Sequence, residues 1–174
     1  LMALSNKHGW DDVYPSDPQQ RAKVDWYLHY HHRNVRDASI GLVAPKIRKD
    51  LNIPDIIQQS ARTTFTRAVR TLDTGWLAQS RYLTGDRLTL ADFAAYMEIG
   101  QLQPGFTNLF DFEPYPNVRR WLETMKQVAG HDDAHVVLTE LGDISVEAPA
   151  LEAIKQANFR ALTTLKQRVA DMAS

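Results

Sequence analysis

Apolar positions recur at helical spacing along most of the chain. Val24, Tyr27, Leu28, His31, Val35, Ala38 and Leu42 lie at +3, +4, +7, +11, +14 and +18 from the first, a single helical stripe of about five turns. Ser16 or Asp17 stands ahead of it as N-cap, with Pro18 in the first turn. Pro45 is expected to kink or end it, because the ring removes a donor and clashes one turn back. Asn52-Ile53-Pro54-Asp55-Ile56-Ile57-Gln58 opens a second helix, with Asp55 and Gln58 spaced as a capping box. Its buried face is Phe65, Ala68, Val69, Leu72 and Trp76. Leu83-Thr84-Gly85-Asp86 then reads as a turn.

The sharpest local pattern is Leu88-Thr89-Leu90-Ala91-Asp92-Phe93. Thr89 as N-cap and Asp92 at N3 are spaced to satisfy backbone donors reciprocally. Leu88 and Phe93 are placed to close over them as a hydrophobic staple. The apolar run Phe93-Ala94-Ala95-Tyr96-Met97, with Ile99 beyond, predicts a helix buried on nearly all sides at the centre of the domain. After Tyr115-Pro116-Asn117, the spacing of Val118, Trp121, Leu122 and Met125 predicts another helix. A short helix around Asp132 to Leu141 follows. The last is expected from about Glu147, with Leu151, Ile154, Asn158, Ala161, Leu162, Leu165, Val169 and Met172 along it. No period-two alternation, repeat or low-complexity segment competes. The fold class predicted is all-α.

Composition narrows the chemistry. The 174 residues suit one domain, and 44% hydrophobic against 24% charged residues is globular rather than disordered. A net charge of −1 gives no general pull toward nucleic acid or anionic membrane, and neither partner is expected. The absence of cysteine excludes disulfides, thiolate metal sites and cysteine nucleophiles in this chain. No apolar run approaches the roughly 18 residues of a membrane span. Leu1 to His8 show no secretory core, and a cytoplasmic location is expected.

Two polar features carry candidate chemistry. His29 and His32 are three apart and suit two imidazole ligands, but no third ligand stands at reliable spacing, so no metal site is expected. His31, on the apolar stripe, reads as a satisfied core histidine. Asp25, His29, His32, Arg33 and Arg36 form a second stripe at +4, +7, +8 and +11. That stripe fits an anionic ligand through charge-assisted hydrogen bonds. The spacing by itself favours the plainer reading, a solvated face with an Asp25–His29 pair. Asp132 and Asp133 could imitate paired carboxylates, yet acidic residues there also favour a helix N-terminus. No phosphate loop, nucleophile elbow or H-E-x-x-H motif appears.

Four segments together resemble the C-terminal helical domain of cytosolic glutathione transferases, the theta class above all. Tyr14-Pro15 with Arg21-Ala22-Lys23-Val24-Asp25-Trp26-Tyr27-Leu28 resembles the start of that domain's first long helix. Asn34-Val35-Arg36 resembles the end of its histidine/arginine segment. Tyr82-Leu83-Thr84-Gly85-Asp86-Arg87-Leu88-Thr89-Leu90-Ala91-Asp92 is similar to the family's folding motif, in which a Ser or Thr precedes Ile or Leu, Ala and Asp. Tyr115-Pro116-Asn117-Val118, Trp121 and Asp133-Ala134-His135 resemble the helices that follow. The match covers about residues 14 to 142.

The resemblance implies a bundle of five to six helices around a buried central helix. It implies residues 1–13 as the tail of a thioredoxin-like domain plus linker, and 14–174 as the helical domain. In the family the thioredoxin-like domain holds glutathione, as co-substrate, and the group that activates its thiol; neither is expected of this chain. The helical domain walls the pocket for a hydrophobic electrophile. Arg36 matches an arginine that faces the active site and would support developing negative charge. Tyr30, Arg33, Arg36, Ile40, Leu42 and Val43 are the candidate substrate-binding residues, and Thr89 and Asp92 the structural caps. Where some members carry an acidic residue for the glutathione amino group, this chain has Arg33 beside Asn34. The full-length form is expected to be a homodimer. Two other readings stand beside the enzyme: a non-catalytic interaction module, as in translation factors and aminoacyl-tRNA synthetases, and a generic helical scaffold.

Overall fold

The predicted stripes become helices in the computed structural model, which describes residues 1–173, with side chains through residue 171. Helix α1 (Met2–His8) precedes α2 (Pro18–Arg33), whose N-cap Asp17 accepts a hydrogen bond from the Gln20 amide at 2.9 Å, with Pro18 opening the first turn. A short α3 (Ala44–Ile47) leads to α4 (Asp55–Thr71). Then come α5 (Leu90–Ile99), α6 (Pro116–Lys126), the short α7 (His131–Ala134) and α8 (Val136–Leu141), and the long α9 (Leu151–Ala173). Among the described residues no strand forms; Tyr82 and Gly85 make an isolated backbone bridge. The fold is all-α, with nine α-helices among the described residues where five to six were expected.

The core gathers the predicted faces. Val24, Tyr27, Val35, Ala38 and Leu42 meet Phe65, Ala68, Val69 and Leu72 of α4, Ala95, Tyr96 and Ile99 of α5, and Val118, Trp121, Leu122 and Met125 of α6. Each large side chain removed from water this way contributes about 1.5–3 kcal/mol before entropy is counted.

The long N-terminal stripe is buried as expected but is not one helix. Asn34 leaves helical geometry at φ −135°, ψ −65°, and its side-chain amide turns back to the Tyr30 carbonyl at 2.8 Å. The His31 carbonyl then receives the amides of Asn34, Val35 and Arg36. Helical structure resumes in a π-turn over Ser39–Val43. Gly41 is the reason it can: a β-carbon there would lie 2.6 Å from the Arg62 backbone nitrogen. The chain thus crosses directly on α4, and Pro45 sits in the first turn of α3.

Several other expectations are corrected. Asp55 and Gln58 do not form a capping box; Pro54 is the N-cap, and Gln58 donates instead to the Ile53 carbonyl at 2.8 Å. Asp25 accepts from the Tyr14 hydroxyl at 2.8 Å rather than pairing with His29. Helix α5 is buried on nearly all sides as expected, with Met97, 62% exposed, as the exception. Trp76 is only partly buried, its ring tilted 4.6 Å from that of Trp26. The 132–141 segment is two short helices joined at His135, where φ −108° and ψ 14° interrupt the turn. Helix α9 starts at Leu151 rather than Glu147 and buries Ala157 and Ala161, while Leu151, Leu162, Leu165 and Val169 are exposed. The side chain of Met172 lies outside the described residues.

Candidate functional site

Helix α5, which packs on α2, is held at its start by Asp92. Its carboxylate is fully buried, and Oδ2 accepts from the Thr89 amide at 3.0 Å and the Thr89 hydroxyl at 3.1 Å, closing the Thr89–Asp92 box. Oδ1 accepts from the Leu83 amide at 2.9 Å and the Trp121 indole at 3.0 Å. Burial pushes this carboxyl up and the four donors oppose that shift. One residue therefore caps α5, ties down the preceding turn and holds α6.

With α5 fixed against α2, a cleft of about 350 Å³ opens at their outer end. Leu28, Ala94 and Met97 supply its apolar wall, Met2 of α1 lies at its rim, and His31, His32, Arg36 and Glu98 supply its polar groups. Arg36 Nε stands 4.0 Å from Glu98 Oε1, and the Ser39 hydroxyl donates to Glu98 Oε2 at 2.7 Å. Glu98 is pushed up by burial, against the Ser39 hydrogen bond and the Arg36 charge. Arg36 itself is 59% exposed, so this pair is a weak, screened contact that leaves the guanidinium reachable.

His31 is buried as expected, but it is not satisfied: Nδ1 has no partner. Burial, then the neighbouring His32 and Arg36, lowers its pKa to about 4, so the imidazole is neutral. The Tyr27 hydroxyl, one turn deeper, is also buried without a partner and is pushed well above its ordinary pKa by burial first.

Of the six candidate substrate-binding residues, Arg36 lines this cleft. Leu42 is in the core, and Val43 and Tyr30 pack at its edge, Tyr30 against Tyr27 and Trp76. Arg33 is exposed and Ile40 is 42% exposed, both outside the cleft. Sequence reasoning missed Glu98, Met97, Ala94 and Leu28 as lining groups. The signal was present in part: Ala94, Met97 and Glu98 share one face of α5, and Glu98 interrupts an otherwise apolar run. His29 and His32 remain exposed, and among the described residues no three His, Asp or Glu side chains converge as a metal site.

A larger groove of about 550 Å³ runs between the 103–113 loop and α6. Its cations are engaged: Arg119 with Glu113 at 2.9 Å, Lys126 with Glu123 at 2.7 Å, and Arg120 with the Leu77 and Ser80 carbonyls. The α2/α5 cleft, with its reachable guanidinium and apolar wall, is the better candidate.

An all-α bundle centred on a capped, buried helix defines the class, and the comparisons agree. Residues 31–124 match the family described as glutathione S-transferase, C-terminal domain. The chain belongs to that family and is theta-like within it. It is 26% identical over 153 residues to chicken (Gallus gallus) glutathione S-transferase theta-1, across 83% of this chain and 58% of that protein. The chain thus spans somewhat under three-fifths of that relative. Among solved structures, apo human glutathione-S-transferase T1-1 superposes with a TM-score of 0.68 at 23% identity, over 95% of this chain and 71% of that one. A human theta-class glutathione transferase in complex with the glutathione conjugate of 1-menaphthyl sulfate gives 0.64 at 25% identity, over 92% and 70%. Among the described residues, no helix is long and apolar enough to cross a membrane.

Proposed function

We propose that this chain is the electrophile-binding helical half of a glutathione S-transferase, acting joined to a thioredoxin-like domain that binds glutathione and activates its thiol. The observation that carries this reading is the α2/α5 cleft, where the Arg36 guanidinium faces the same space as the apolar wall of Leu28, Ala94 and Met97. Such a pairing suits a hydrophobic electrophile whose charge grows as a thiolate attacks it. The apolar wall holds the carbon skeleton, and Arg36 stabilises the anion as it develops. A neutral His31 leaves that charge undiluted. On this reading residues 1–13 are the junction with the glutathione-binding domain and 14–174 the helical domain. The working form is a cytoplasmic homodimer, with glutathione as co-substrate rather than a cofactor of this chain. Arg33, Tyr30, Ile40, Leu42 and Val43 then support the site from outside the cleft, and Arg36 is the residue at the chemistry.

The test is turnover of a hydrophobic aryl electrophile by the full-length protein purified from its source, with and without glutathione. We expect glutathione-dependent conjugation, and a loss of about tenfold or more in kcat/KM for Arg36→Ala with an unchanged Tm. No glutathione-dependent turnover, together with unaltered ligand binding in Arg36→Ala, would overturn the enzyme reading in favour of an interaction module.

A further inference from the structure

Away from that cleft, a directed chain of hydrogen bonds ends in two stacked histidines beneath α9. Gln103 Nε2 donates to the Tyr96 hydroxyl oxygen at 3.0 Å, and Tyr96 and His131 Nε2 are 2.8 Å apart. His131 Nδ1 lies 2.8 Å from the Asp132 carboxylate. A carboxylate can only accept, so His131 carries a proton on Nδ1, and in the neutral ring Nε2 accepts from the Tyr96 O–H. His135 Nδ1 lies 2.6 Å from the His131 backbone carbonyl, which likewise can only accept. The His135 proton is therefore also on Nδ1, leaving Nε2 as a bare lone pair, buried with no partner. The two rings stack with centroids 4.4 Å apart and planes 25° from parallel, and Phe106 stacks on the far side of His135 at 5.4 Å.

The neighbours thus dictate the neutral tautomer of each ring, and His135 has no acceptor for a second proton. A proton on His135 Nε2 would be a buried cationic N–H with no acceptor. His131 differs, because its Nε2 faces the Tyr96 oxygen, which has a lone pair besides the one that accepts from Gln103. Charging both rings would put two cations face to face. For His135 the surroundings offer little compensation. Asp132 is fully exposed, and Asp133 is taken by Arg168 of α9 at 3.2 Å. From α6, Glu123 is engaged by Lys126. From α8, Glu140 is engaged by Arg160 of α9 at 2.8 Å. The 103–107 loop brings Gln103 and Phe106, and α5 brings Tyr96, none of them anionic. Burial lowers the His135 pKa first, with the His131 carbonyl and Asp132 acting against it.

His135 is also the joint of this region. It lies between α7 and α8, and its carbonyl receives the Thr139 amide and hydroxyl. Helix α9 packs on α7 and α8, and its buried residues are the small Ala157 and Ala161. A helix held by two alanines and two partly exposed ion pairs depends on the platform beneath it.

We propose that His135, stacked on His131, is a proton-sensitive latch: uptake of a proton at its unpartnered Nε2 opens the α7–α8 joint and releases α9 from the bundle. The release is local, because α5 is held independently by Asp92.

Hydrogen exchange, resolved by segment and corrected for the intrinsic rate, tests this on the chain at pH 7.5 and 5.5. In the wild type we expect α9 amides to lose about tenfold or more of their protection at pH 5.5 while α5 amides keep theirs. His135→Asn retains a donor near Nδ1 and cannot be protonated; it should abolish the α9 response. His131→Gln, which removes the other ring, should at least halve it and serves if the first variant does not fold. His31→Gln, outside the latch, should leave it intact. Unchanged α9 protection in the wild type, an equal loss in His135→Asn, or disappearance of the response in His31→Gln would each overturn the proposal.

Discussion

Asp92 and Thr89 form one capping box, yet their substitutions are not equivalent. Thr89→Ala removes a cap and should cost about 1 kcal/mol. Asp92→Ala strands three donors at once, the Thr89 amide, the Leu83 amide and the buried Trp121 indole, while the Thr89 hydroxyl keeps Thr84 as a partner. Each unsatisfied buried donor carries a desolvation penalty, so the loss should exceed about 3 kcal/mol. Urea midpoints of the two variants check this, with the larger fall expected in Asp92→Ala. Asn is no substitute, because its NH₂ group must face one of two pairs of donors. The box itself was legible from four residues of sequence. The Trp121 contact was not, since it joins positions 29 apart that only the bundle brings together.

Among the elements, the close approach of the Ser39–Val43 turn to α4 depends on a glycine. Backbone atoms of Ala61 and Arg62 occupy the space a Gly41 side chain would need, the nearest at 2.6 Å, and backbone cannot swing aside as a flexible side chain does. Gly41→Ala should therefore destabilise by about 1–3 kcal/mol, read as a lower Tm without loss of helical circular dichroism in the surviving folded state. The apolar stripe through Leu42 marked correctly what is buried, because periodicity reports which face meets the core. It did not report the fracture at Asn34 or the π-turn, because both answer to the position of α4. Helix α6 makes the same point at its start. The Asp73 carboxylate, 44 residues upstream, accepts from the Asn117 amide at 2.7 Å and from Val118 at 3.0 Å, serving as a remote cap. No local spacing announces it.

For the whole molecule, buried neutral histidines set the acid limit. His31 titrates near 6.5 when unfolded and at about 4 when folded. Between those values the unfolded chain takes up a proton that the folded chain refuses, so its stabilising contribution is complete above pH 6.5 and declines as pH falls toward 4. The shift is equivalent to at most about 3 kcal/mol, less after solvent screening. His135 acts in the same direction. His31→Gln should flatten the fall in stability between pH 6.5 and 4, measured by urea unfolding at half-unit steps against the wild type. A parallel pair of curves would show that the imidazole is not held neutral in the folded state.

Local pattern alone determined that the chain is all-α, which faces of α2, α4 and α6 are buried, where α5 and α6 begin, and that Arg36 continues the polar stripe of α2 past its end. These depend on helical periodicity and on caps closed within three or four residues, which are properties of short stretches. Tertiary structure alone decided that Glu98 and Ser39 meet Arg36, that Met97 leaves the core to wall a cleft, and that His131 and His135 stack beneath α9 with one nitrogen unpartnered. It also decided that α9 presents its leucines outward and buries alanines. Each of these is a contact between helices, and the rotation of one helix against another is set by the summed packing of the bundle rather than by any residue's neighbours in sequence.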